Sequence, residues 1–134
     1  MGVDHEAKLI VGFSLDYDKV KKWMNENDIE DEDTDLMNNI LQEQYKIPEK
    51  IYNNKSYSSL SLSIYIKMFG NIYNDQIKYF LTFYECSSIN IKDLNNITQE
   101  MLDLYKKIYS DIMSEECVCE NVGDIPVLST LYVW

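Results

Sequence analysis

Asp16, Asp18 and Asp75 are the side chains whose type and placement come nearest to metal chemistry. Carboxylates grouped at one sheet edge can hold two Mg²⁺ ions and support phosphoryl transfer. The remaining parts of such a site are missing. All 12 basic residues are lysine, so no arginine is present to clamp a phosphate, and no glycine-rich loop occurs. Each aspartate also has an ordinary structural role. Asp16 stands where a helix N-cap is needed, Asp18 favours the positive end of that helix, and Asn74-Asp75 is turn chemistry. These three stay weak metal candidates, and no catalytic residue is assigned.

The thiols and the histidine offer less. Cys86, Cys117 and Cys119 are the 3 cysteines and His5 the only histidine. A structural zinc needs four ligands. An odd cysteine count without a secretion signal points to free thiols. In the predicted fold Cys86 and His5 lie at the edge opposite Cys117 and Cys119. A Ser-His or Cys-His mechanism would rest on His5 alone. Asp31, Asp33 and Asp35 have EF-hand spacing, but Leu36 stands where glycine is required and Gln42 where glutamate is required. No cofactor is expected.

Charge narrows the partners. The chain has 134 residues, with 23 acidic residues against 12 lysines and a net charge of -11. Seven of the acids fall between Glu26 and Asp35, and without them the net charge is -4. A polyanionic surface without clustered cations opposes binding to phosphate backbones and to anionic membranes, so neither nucleic acid nor membrane is expected. The acidic run reads as a solvated connector ahead of a helix N-terminus. Heavy use of Lys, Asn, Ile and Tyr, with one alanine (Ala7), reflects an AT-rich genome of the kind found in some viruses, phages and low-GC bacteria. No segment reaches the ~18 apolar residues needed to span a bilayer. The N-terminus lacks the pattern of a signal peptide, so an intracellular, cytoplasmic protein is expected.

The elements that would position these residues follow from periodicity. Lys8 to Asp16 alternates, with Leu9, Val11, Phe13 and Leu15 on one side, and predicts a strand. Val20, Trp23 and Met24 then recur at helical spacing, with Leu15 and Val20 placed as a hydrophobic staple. Leu36, Met37, Ile40, Leu41 and Tyr45 predict a second helix that ends before Pro48. Glu49 to Ser59 reads as loop. Leu60 to Phe69 predicts one uninterrupted strand and Ile77 to Cys86 its hairpin partner. Thr98 caps a long helix with Met101, Leu104, Tyr105, Ile108 and Ile112 buried, and Ile125 to Trp134 predicts a last strand. The expected fold is a single α+β domain over 1–134. It has the ferredoxin-like β-α-β-β-α-β plan, a four-stranded antiparallel sheet with helices on one face. An acidic loop and short helix, 26–59, are inserted between the first helix and the second strand.

That plan leaves one sheet face without helices. Strict alternation puts Tyr65, Lys67 and Phe69 there from one strand and Lys78, Phe80, Thr82 and Tyr84 from the next. Tyr132 and Trp134 join them from the last strand. Exposed apolar patches of this size mark protein interfaces. The sequence therefore predicts a non-enzymatic module that binds protein, as a homodimer or with a heterologous partner, through Tyr65, Phe69, Phe80, Tyr84, Tyr132 and Trp134. Two alternatives are an acidic inhibitor of a nucleic-acid enzyme and the metal-dependent phosphoryl-transfer enzyme above. If the 28–59 insertion folds over the aromatic face, the interface disappears into the monomer.

Overall fold

The alternation of LIVGFSL forms strand β1, Leu9–Leu15, and sends Val11 and Leu15 into the main core. The structure is a computed structural model and describes residues 9–30, 34–53, 59–71, 76–86 and 94–129. Helix α1, Tyr17–Glu26, follows at once and buries Val20, Trp23 and Met24. Asp16 holds the N-cap position in extended geometry, but its side chain makes no capping bond. Its backbone N–H instead donates to Met113 Sδ at 3.3 Å.

The end of α1 is where the acidic run begins, and it is more structured than a solvated connector. Asp28 takes φ 59°, a left-handed conformation usually given to glycine. Asp28 N–H donates to Asn25 C=O at 3.3 Å, and Ile29 N–H reaches back to Met24 C=O at 2.9 Å. These two bonds make a Schellman motif, whose usual partner is an apolar contact from the residue after the left-handed one. Ile29 meets that description and is 2% exposed. The expectation that this run is wholly solvated is thus corrected at Ile29. Residues 31–33 lie outside the described residues.

Helix α2, Thr34–Tyr45, buries Met37 and Leu41, and Ile47 follows it into the core. The chain then forms a hairpin that the sequence reading took for a loop and the start of a longer strand. Strand β2, Lys50–Asn53, pairs antiparallel with β3, Ser59–Leu62, as a separate two-stranded sheet. The run from Leu60 to Phe69 is therefore two strands. After Ser63 and Ile64 it resumes as β4, Tyr65–Asn71, in the main sheet. Leu62, Ile64 and Ile66 are all buried across the break. Burial keeps its period of two while the pairing partner changes, which is why alternation alone did not reveal the break.

Strand β5, Gln76–Cys86, is the centre of the main sheet and pairs with β4 and β1. Helix α3, Gln99–Met113, is capped by the Thr98 hydroxyl, which accepts from Met101 N–H. It buries Met101, Leu102, Tyr105, Ile108, Ile112 and Met113, and ends at Ser114 in a left-handed cap. A short 3-10 turn, Val122–Asp124, held by an Asn121 capping box, leads to β6, Val127–Ser129, which pairs with Leu9–Val11. Tyr132 and Trp134 of the expected last strand lie outside the described residues. Within the described residues the fold is mixed α+β: a four-stranded antiparallel sheet of order β4-β5-β1-β6, a two-stranded hairpin and three helices. Side chains of all three helices share one core with Val11, Leu15, Ile66, Tyr79, Leu81 and Phe83.

Helix α2 also guards the sheet edge rather than the open face. Asn38 Oδ1 accepts from Ile66 N–H at 2.6 Å, and Asn38 Nδ2 donates to Ile66 C=O at 3.0 Å. The amide thus occupies both backbone groups of an edge-strand residue, as a neighbouring strand would, and blunts the edge against pairing with another chain.

Candidate functional site

The face of the main sheet turned away from the common core is set by register. Tyr65 pairs with Thr82, Lys67 with Phe80 and Phe69 with Lys78, and paired side chains share a face. On β1 the same face takes Ile10, opposite Leu128 of β6. Ile10, Phe80, Phe69 and Leu128 form a small apolar cluster separate from the main core, and its described members all come from the sheet. Phe69 meets Phe80 edge-on, with centroids 5.8 Å apart, and Lys67 Nζ lies 5.9 Å from the Phe69 ring centre.

Exposure within this face is uneven. Ile10 is 0% and Phe80 2% exposed, so neither offers surface to a partner. Tyr65, Lys67, Phe69 and Leu128 are half-buried, and Lys78 is exposed. Among the described residues the available surface is therefore an aromatic and aliphatic strip bordered by two lysines, to which Phe80 and Ile10 add nothing.

Tyr84 does not belong to it. Val11 pairs with Tyr84 but Gly12 pairs with Thr82, so Phe83 is an extra residue on β5 and the ladder carries a β-bulge. A bulge moves later residues by one position, and in a sheet one position exchanges faces. Tyr84 therefore shares Val11's face and lies in the helix-side core at 2% exposure. Two features fix the bulge. The Thr82 hydroxyl lies 2.9 Å from Val11 C=O and 3.0 Å from Tyr84 C=O, so its proton serves both. Gly12 supplies the space, because a Cβ there would sit 2.0 Å from the Leu81 carbonyl oxygen. Thr82, a polar residue in an aromatic run, and Gly12, an isolated glycine inside a strand pattern, were the sequence signals for the irregularity.

The carboxylate candidates do not gain from the fold. Asp16 and Asp18 are exposed at the start of α1, and Asp75 lies outside the described residues. Among the described residues no group of three or more His, Cys, Asp and Glu side chains is arranged to hold a metal ion. His5 and the side chain of Cys86 also lie outside the description. No helix among the described residues is long and apolar enough to cross a membrane.

The two C-terminal cysteines are free and buried. Burial, reinforced by the neighbouring Cys119, pushes the Cys117 thiol up to about 11, against a partial opposing effect of Lys106. Burial and Asp124 also raise the Cys119 thiol, again opposed by Lys106. Nucleophilic catalysis needs the thiolate, so these side chains are poorly suited to it. The other shifted groups are phenols. Tyr105 is raised by burial, Tyr45 by burial and its bond to Asp111, and Tyr109 by burial and the Glu115 carboxylate.

Comparison with protein families, with curated proteins and with solved structures gives no match to this chain.

Proposed function

We propose that this chain is a non-enzymatic protein-binding module that self-associates through the face of its main sheet opposite the three described helices. The supporting observation is the separate cluster of Ile10, Phe80, Phe69 and Leu128, with Phe69 and Leu128 still partly open to solvent. A second copy is the occupant we assign, because two-fold packing of identical faces is the commonest route to a soluble oligomer. Suppression of thiol nucleophilicity by burial supports a binding role over a catalytic one.

In this reading the fold is the ferredoxin-like β-α-β-β-α-β plan, with α2 and the β2-β3 hairpin as an insertion between α1 and β4. Setting the insertion aside leaves six elements in that order, with β6 beside β1 at one margin and β4 at the other. The protein acts in the cytoplasm, the compartment in which its free thiols stay reduced.

Size-exclusion chromatography with light scattering tests the assignment. The expected mass is twice the 15.8 kDa of the chain, falling to one chain for Phe69→Glu. A wild-type mass that stays at one chain over the accessible concentration range, or a dimer unaffected by Phe69→Glu, overturns it.

A second reading is an acidic inhibitor of a nucleic-acid enzyme. It draws on exposed acids beyond the clustered run, among them Glu43, Glu100, Asp103, Glu116 and Glu120. Tight binding to a basic nuclease that weakens steeply with salt would favour it.

A further inference from the structure

Beyond the end of α3 the chain makes a three-residue turn at Cys117-Val118-Cys119. Cys119 N–H donates to the Cys117 carbonyl at 3.0 Å, the bond of a γ-turn. Val118, at the tip, is 89% exposed, whereas Cys117 and Cys119 are 4% and 3% exposed. Both flanking side chains are thus folded inward and the middle one outward. The environment on the inner side is shared. Cys119 raises the Cys117 thiol, and Lys106 of α3 acts favourably on the ionised form of both.

We infer that this turn is a two-thiolate site for a soft, monovalent, closed-shell cation of the Cu(I) or Ag(I) class. Thiolate sulfur selects such ions over hard ones, and two-coordinate binding needs no further ligand. Zinc would need four ligands, and no third metal-binding side chain joins the pair among the described residues. Asp124 lies close to Cys119, but its carboxylate is already used: Oδ2 accepts from Glu120 N–H at 3.0 Å and Asn121 N–H at 3.1 Å. Loading exchanges the two thiol protons for one cation, so the complex carries one negative charge. Lys106 supplies the compensating positive charge. Burial keeps water and oxidants from the sulfurs.

Cu(I), titrated without oxygen against a chromophoric Cu(I) chelator, is the test. The expected result is one ion per chain, with Cu(I)–thiolate absorption in the near ultraviolet. Both persist in Cys86→Ser and are lost in Cys117→Ser and Cys119→Ser. Lys106→Gln, which leaves both thiols in place, should weaken binding by roughly tenfold, as loss of a supporting group does at metal sites. Circular dichroism of each variant identifies any that fails to fold, and for such a variant Lys106→Gln carries the decision. Failure of the wild type to compete for Cu(I), binding that depends on Cys86, or an unchanged affinity in Lys106→Gln overturns the inference.

Discussion

Replacing Tyr105 by phenylalanine isolates one hydroxyl on which two strands depend. Tyr105 is fully buried on α3, and its ring stacks on Phe83 with centroids 4.5 Å apart and planes 18° from parallel. Its hydroxyl accepts from Phe13 N–H at 2.8 Å and donates to Leu81 C=O at 2.5 Å. Phe13 and Leu81 are register partners in β1 and β5, two pairs from the bulge. Phenylalanine keeps the ring and its stacking and removes only the bridge. Each buried backbone group left without a partner costs about 1–3 kcal/mol. Partial closure of the strands recovers some of this, so a net loss of about 2–3 kcal/mol is expected. For a chain of 134 residues, the usual unfolding entropy converts that to a fall in Tm of about 7–11 °C. In urea the midpoint should fall while the slope stays constant. Tyr109→Phe serves as the control, because that residue is only half-buried. A Tyr105→Phe variant within about 0.5 kcal/mol of wild type would refute the bridging role. The same residue gives a pH test. Burial raises the folded-state pKa of Tyr105 above its unfolded value of about 10. Its contribution is therefore complete below that pH and lost as the pH rises further. Wild-type stability should fall on the alkaline side, and less steeply in Tyr105→Phe. Some decline should remain, because Tyr45 and Tyr109 are shifted in the same direction.

Two further substitutions probe the devices that shape the sheet. Asn38→Ala removes both bonds to Ile66 and is expected to cost about 1–3 kcal/mol. It should also raise aggregation on mild heating, measured by light scattering, because the β4 edge is then open to pairing; equal aggregation in variant and wild type would count against the guarding role. Gly12→Ala places a methyl group 2.0 Å from the Leu81 carbonyl oxygen. The strands must separate to admit it, so a loss above about 4 kcal/mol or insoluble protein is expected. A soluble variant melting within a few degrees of wild type would show that the bulge tolerates a side chain.

The elements legible in the sequence were those whose information is carried within one segment. Strand β1 and helices α1, α2 and α3 each present an apolar stripe at their own period, and Thr98 caps α3 as its position suggests. What stayed hidden was relational. The bulge at Phe83 adds one residue to β5 relative to β1, and no turn residue within β5 announces it. Counting by twos from Phe80 to Tyr84 therefore placed Tyr84 on the wrong face, although the count was locally correct. The hairpin of β2 and β3 was missed for the same reason: Leu60 to Phe69 alternates without a fault, and only the change of partner divides it. Ile29 was legible in principle, since an isolated isoleucine among acids has little reason to be there unless something buries it. The candidate interface inherits these errors directly. A third of its definition, Phe80 and Tyr84, came from alternation along β5, so one inserted residue removed Tyr84, and burial of Phe80 removed a second aromatic from the accessible surface. A binding face read from strand periodicity is thus only as secure as the register connecting its strands. In this protein that register turns on a glycine and a threonine rather than on the aromatic residues themselves.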